Sequence, residues 1–407
     1  MALPRFSFVD LLVASLVGIG ASMSTVLVLL IPHITSDAFS VYYAVATALR
    51  TGATPYPLSA SEPVQETFVN LPWVAMLFVP VSLLPYSAAV AVWTTISGLL
   101  SMSSACFLAV ALGWRRWWVL AAVLAVSGVL WRCLISGQLD GLALALETTA
   151  LIFCMRRRAA LCGGFSVAAA LVKPQVLCLL PLALLIILGR ERLARSFVLG
   201  GLAAVGLLVG VPEMLFPKLL LGWIRGVVRT TAAIPRIQGD LAGLPGLLRL
   251  LPPAWHMASP TSPASLAIFA VGLVLIGSVL WLAATRGGPP GSADGTWAVW
   301  AAMTPVAIWF LVAPFYLLTP DMLVLVPLVA VVVGPDGTKL RRASVAITVL
   351  ALCIFPEVSV LVSPSDAFGP WSLAGVATLT LVAYALKDLP LRRATPTAPS
   401  LFPPAGT

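Results

Sequence analysis

The chain has 407 residues, 60% of them hydrophobic and only 10% charged, with a mean hydropathy of +1.03 and a net charge of +9. Repeated long apolar runs exclude a soluble globular domain, and their continuity rather than alternation excludes a membrane barrel. What is left is an all-α polytopic membrane protein, since only helices then satisfy the backbone inside lipid.

The basic residues stand in short loops between apolar runs, the pattern that orients membrane proteins, so the excess charge reads as a topology signal and not as a nucleic-acid patch. The six cysteines (106, 133, 154, 162, 178 and 353) lie within or at the ends of apolar segments and share no short pairing. They read as small buried hydrophobes, not as a disulfide framework or metal site. His33 and His256 are isolated, in no metal-ligand spacing, and carboxylates from separate segments mark no metal site while leaving a divalent metal open.

In chain order, residues 9–31 form the first predicted span, long enough to act as an uncleaved anchor. A polar, tyrosine-rich stretch follows from Ser36. Over 38–51, Phe39, Tyr42, Tyr43, Ala46 and Leu49 recur on one helical face, with Asp37 at the start and Gly52 after the end. The next apolar segment, 71–84, is short and interrupted by Pro72 and Pro80, and reads as a helix in or dipping into the interface. Further spans are predicted at 87–112, 117–135, 141–155, 159–173, 174–189, 196–216, 264–284, 297–314, 320–334, 343–362 and 371–387, about twelve in all. The pair 159–173 and 174–189 is open between two tilted spans and one re-entrant unit. Residues 1–389 form one transmembrane domain, and the Pro-, Ala- and Thr-rich stretch 390–407 reads as a disordered cytoplasmic tail.

If 71–84 does not span and the N-terminus is cytoplasmic, sixteen of the twenty-four basic residues fall in inside loops. If it does span, the arginines at 156–158 and 190–195 face outward, against the positive-inside rule. The expected protein therefore lies in the plasma (inner) membrane with both termini cytoplasmic. Loops 32–86 and 217–262 then lie outside.

On this topology several polar groups gather at the outer ends of separate helices: Asp37, Gln138 and Asp140, Lys173, and Tyr316 with Asp321. Carboxylates and a lysine near one outer plane suit the handling of an anionic, lipid-borne group. An acid can take a proton from a hydroxyl, and cations can stabilise charge on a departing phosphate. Each residue also has a structural reading. Asp37 can cap the helix it precedes, Lys173 can snorkel, and Asp321 can favour a helix dipole. Glu147 lies seven residues after Asp140 on the same helical face and is expected to pair with a nearby arginine. No phosphate-cradling glycine loop of the nucleotide type is present, so a sugar donor has to arrive from the membrane. The rival reading is a transporter or flippase, with Asp140, Glu147 and Lys173 along a permeation path. It expects repeated halves, and none are visible.

Several short motifs resemble glycosyltransferase family 87. They are Asp37 with Tyr42-Tyr43, Gly52 and Tyr56-Pro57; Leu71-Pro72-Trp73 leading to Pro80 and Leu84-Pro85; Gly137-Gln138; Lys173-Pro174; and Ala313-Pro314-Phe315-Tyr316 through Asp321. The resemblance spreads over roughly residues 30–335. It implies a GT-C-type fold with surface helices in the first outer loop. The implied donor is a polyprenyl-phosphate-sugar, and a hexose, typically mannose, is transferred with inversion to a lipid or glycan hydroxyl outside. No cofactor is implied. The family's base falls on Asp37. Pro320 stands where several members have a histidine before the late aspartate. On this reading Lys173 with Arg225, Arg229 and Arg236 holds the donor phosphate. Tyr42, Tyr43, Gln138, Asp140, Tyr316 and Asp321 position sugar or acceptor hydroxyls.

Overall fold

The computed structural model describes residues 37–53, 70–114, 117–125, 127–233, 263–286, 295–312, 323–333 and 383. They are helices joined by turns, with no strand among the described residues. The expected spans 9–31, 343–362 and 371–387, the tail 390–407, and most of loop 217–262 lie outside them.

Helix α1 (Asp37–Arg50) realises the predicted amphipathic stretch, burying Phe39, Tyr42, Ala46 and Leu49. Helix α2 (Pro72–Phe78) starts on a proline that needs no N–H at the first turn. Seven residues rise about 10 Å, a third of the hydrocarbon thickness, so α2 by itself is too short to cross a membrane. A single 3₁₀ turn, Val81–Leu83, leads to α3 (Tyr86–Ala111).

Four helices among the described residues are long and apolar enough to cross a membrane. They are α3 and three later helices, which take the labels α9 (Ala194–Leu215), α11 (Pro263–Arg286) and α12 (Gly295–Val312) below. The single span expected at 117–135 is instead two short helices, α4 (Trp118–Ala125) and α5 (Gly128–Ser136). The break has a local cause. The Ser127 hydroxyl accepts a hydrogen bond from the Leu130 backbone N–H at 3.2 Å and so starts a new helix.

Three consecutive helices form the core of the bundle. Helix α6 (Asp140–Met155) runs down, α7 (Ala159–Val172) returns, and one turn (Pro174–Leu177) leads into α8 (Leu179–Gly189), which runs down again. At 1.5 Å per residue, α6 rises about 24 Å, α7 about 21 Å, and the whole of 174–189 about 24 Å. Each is shorter than a hydrocarbon layer of about 30 Å. Arg156, Arg157 and Arg158 mark one end of these helices, and Lys173 marks the other.

Glycines set the closest packing. A Cβ on Gly163 would run into the Phe197 carbonyl oxygen, and one on Gly200 into the Ala160 carbonyl oxygen, so α7 and α9 touch backbone to backbone. Small residues permit this approach where lipid offers no hydrophobic drive. Helix α9 carries a π segment at Gly206–Gly210. Pro212 explains it, because the ring has no N–H and would clash with the carbonyl four residues back. Helix α10 (Leu219–Ala233) follows, its first turn capped by Glu213, which accepts from the Lys218 and Leu220 N–H groups at 2.7 and 2.8 Å. Helix α13 (Val326–Val333) ends the described part of the bundle.

Candidate active site

The tips of α6 and α7 carry a buried ion pair. Lys173 Nζ lies 3.2 Å from Asp140 Oδ1, with the two side chains 4% and 0% exposed. The same ammonium donates to Gln138 Oε1 at 3.4 Å. Local structure favours both charges. Asp140 opens α6, where the helix dipole is positive, and Lys173 closes α7, where it is negative. Three of the sequence candidates thus meet at one point.

The turn that presents Gln138 and Asp140 is held from two sides. Gly137 has φ +69°, a left-handed C-cap that glycine adopts without cost, and the Gln138 N–H donates back to the Cys133 carbonyl at 3.0 Å. The Trp93 indole N–H donates to the Gly137 carbonyl at 3.0 Å. On the other side Phe39 of α1 presses so closely that a Cβ on Gly137 would sit 2.5 Å from Phe39 Cβ. The head of α1, which begins at Asp37, therefore abuts the Gln138–Asp140 turn. The Lys173 turn is pinned in a similar way, because the Trp309 indole N–H donates to the Gln175 carbonyl at 2.8 Å.

The pair is recessed. A Cβ on Gly141 would lie 2.5 Å from Ser97 Oγ, and Ser97 stands eleven residues, about 16 Å, below the start of α3 at Tyr86. Above it stands an aromatic wall. The Tyr42 ring stacks on Phe78 with centroids 5.1 Å apart, Phe78 meets Trp93 edge-on at 4.6 Å, and Tyr43 meets Tyr86 edge-on at 5.3 Å.

The remaining candidates are dispersed. Tyr42 is buried in that wall, and the Tyr43 hydroxyl donates to the Leu84 carbonyl at 2.8 Å. Arg225 lies exposed on α10, with Arg229 one turn further along the same helix. Arg236, Tyr316 and Asp321 lie outside the described residues. Glu147 is fully buried, and neither carboxyl oxygen has a hydrogen-bond partner among the described residues, so the arginine expected beside it is not found there. Among the described residues no three of His, Cys, Asp and Glu gather as a metal-ligand set. Trp93 and Trp309, which hold the two turns, were missed by sequence reasoning. Nothing local in the sequence separates them from other apolar-run tryptophans.

The sequence model of glycosyltransferase family 87 matches residues 68–314, more than half of the chain. The chain belongs to glycosyltransferase family 87. Comparison with curated proteins and with solved structures gives no match. The family 87 match takes in Gln138, Asp140, Lys173, Trp93 and Trp309, and it begins after Asp37. Family membership makes the protein a transferase that works on a sugar donor and an acceptor in a membrane, and the apolar helices agree.

Proposed function

We propose that the protein transfers a hexose, mannose by the resemblance, from a polyprenyl-phosphate donor to a lipid or glycan hydroxyl on the outer face of the plasma membrane. The observation that carries this reading is the Asp140–Lys173–Gln138 cluster, sunk below the tip of α3 and next to the head of α1. A buried ammonium at that depth suits a phosphate whose prenyl chain stays in lipid, because the cation is already desolvated when the anion arrives.

In this mechanism the acceptor oxygen attacks the anomeric carbon as its proton passes to the Asp37 carboxylate. The bond between the anomeric carbon and the phosphate oxygen breaks, and the polyprenyl phosphate leaves with the electron pair. Attack opposite the leaving group inverts the anomeric centre. Lys173 takes the developing phosphate charge, exchanging part of its bond to Asp140 for one to the phosphate, and Gln138 with Asp140 orients sugar hydroxyls. Arg225 and Arg229 on α10, with Arg236, draw the anionic headgroup towards the recess from the membrane surface. Tyr316 and Asp321 complete the sugar site.

Transfer assays with radiolabelled polyprenyl-phosphate-mannose and the purified enzyme test the donor. A wild-type enzyme that uses only a nucleotide-sugar donor would overturn the reading.

A further inference from the structure

We propose that the arginine end of the bundle, opposite the Asp140–Lys173 pair, binds an anionic phospholipid. Arg157, Arg158, Arg192 and Arg195 hold its phosphate, and its acyl chains lie on α9. Direct contacts bring these arginines to one place. The Arg157 guanidinium pairs with the Glu191 carboxylate at 3.2 Å, which joins the turn after α6 to the turn after α8. Gly163 packs against the Phe197 carbonyl, so the starts of α7 and α9 lie against each other. Arg158 stands just before the first of these starts, and Arg195 is in the first turn of the second. All four arginines are exposed, and Glu191 is the one acid in the two turns. Arg190 has a separate task, donating to the Ala283 carbonyl of α11 at 3.2 Å.

Two of these arginines stand where the backbone disfavours them. Among the described residues, five helices end on the same turn, in which a left-handed residue is followed by an N–H bonded to the carbonyl five positions back. At 52, 113 and 137 the left-handed residue is glycine, which takes that conformation without strain. At the two turns joined by the Arg157–Glu191 pair it is arginine instead, with φ +56° at Arg157 and +61° at Arg192. A side chain at this φ is strained. The positive-inside rule counts charges in a loop and is indifferent to which loop position carries them. It therefore accounts for Arg156 as well as for Arg157, and gives no reason for the strain. Strain of this kind persists where a ligand uses the side chain.

The surroundings select the ligand. A guanidinium fork matches phosphate oxygens, and one contact with Glu191 leaves Arg157 further N–H donors. Apolar surface continues directly from the arginines. Val198, Leu199 and Leu202 follow Arg195 by three, four and seven residues, so they share its face of α9, and all three are exposed. Leu161, in the first turn of α7, is exposed as well. A free anion or an acidic protein uses the charges and leaves the leucines idle. A lipid uses both, its headgroup on the arginines and its chains along a helix long and apolar enough to cross the membrane. The inference does not depend on the sugar donor proposed above.

The test uses the full chain in phosphatidylcholine nanodiscs, with and without added phosphatidylglycerol at constant ionic strength, and follows the melting temperature. A ligand bound only by the folded state raises Tm with its concentration. The wild-type Tm is expected to climb with the phosphatidylglycerol fraction. Arg157→Gly and Arg192→Gly are each expected to be no less stable than wild type in phosphatidylcholine, where relief of strain acts alone, and to lose at least half of the climb. Arg156→Gln removes the same charge from an unstrained position, φ −88°, and is expected to keep most of it. A Tm indifferent to phosphatidylglycerol overturns the proposal. So does a loss as large in Arg156→Gln as in the glycine variants, since diffuse charge would then suffice. Glycine variants less stable than wild type in phosphatidylcholine overturn it too, because no strain would need a ligand to explain it. An equal climb with soluble glycerol phosphate in place of phosphatidylglycerol overturns the lipid, since a free anion would then do.

Discussion

Gly137 and Phe39 are packed so closely that the glycine's missing side chain is what lets helix α1 reach the ion-paired turn. The contact joins a surface helix near the start of the chain to the tip of a core helix a hundred residues later. Gly137→Ala adds a methyl group 2.5 Å from Phe39 Cβ at a backbone with φ +69°. Overpacking of this kind costs about 1–3 kcal/mol, with strain at the left-handed φ added to it. Sugar transfer is expected to fall at least tenfold while the protein still folds. Wild-type turnover would mean that the position of α1 is unimportant.

The Asp140–Lys173 pair separates stability from chemistry. Removing one partner leaves the other charge buried, which typically costs about 3–5 kcal/mol. Lys173→Met and Asp140→Leu singly are expected to lower Tm sharply. The double variant is expected to recover most of the loss, because it buries no lone charge. Transfer stays abolished in the double variant if Lys173 holds the donor phosphate. Recovered transfer alongside recovered Tm would limit the pair to a structural role.

Asp37 is tested by conservative replacement. Asp37→Asn keeps the shape and removes the base, and kcat is expected to drop by at least a hundredfold with Tm unchanged. The drop should persist with a more acidic acceptor alcohol but be smaller, because such an acceptor needs less help to lose its proton. Unchanged kcat would remove Asp37 from the chemistry.

The backbone contact of α7 with α9 makes a purely structural prediction. Gly200→Ala puts a methyl group into the Ala160 carbonyl, and Gly206→Ala, with open space around its Cβ position, does not. Gly200→Ala should lower Tm through an overpacking cost of about 1–3 kcal/mol. Gly206→Ala should leave it within error. Equal effects at both positions would show that this interface relaxes freely.

The orientation in the membrane is open to labelling. Leu83 is 67% exposed at the Lys173 end of the bundle, and Arg158 is exposed at the opposite end. A cysteine at 83 is expected to react with an impermeant thiol reagent from outside, and one at 158 only after the membrane is opened. The reverse pattern would move the active site to the cytoplasmic face.

Much of this arrangement was legible in the sequence, for reasons that particular residues make plain. The surface helix announced itself because Phe39, Tyr42, Ala46 and Leu49 repeat at helical spacing, and it was found one residue away from the predicted bounds. Gln138, Asp140 and Lys173 stood out because polar groups in apolar surroundings require a partner. The pairing itself was not legible, since it depends on how α6 and α7 register. The break at Ser127 was hidden because apolar residues continue on both sides of it, and only the capping hydrogen bond reveals it. For Glu147 the rule that a buried acid seeks a base suggested an arginine, but neither of its oxygens meets a hydrogen-bond partner among the described residues. Tyr42 and Tyr43 were read as sugar-binding groups from their motif. The structure shows one ring stacked on Phe78 and one hydroxyl engaged by Leu84, contacts that spacing alone does not predict.

The shortness of α6 and α7 has a consequence for the membrane itself. Helices of 16 and 14 residues set beside one of 26 make a dent in the slab, so lipids at that spot face a thinner hydrophobic girdle than their neighbours do. A headgroup drawn into the dent descends towards the protein instead of its long tail being lifted out. Bilayer thickness then acts as a control on the enzyme, and reconstitution in lipids of increasing acyl length would slow it without any change in its residues.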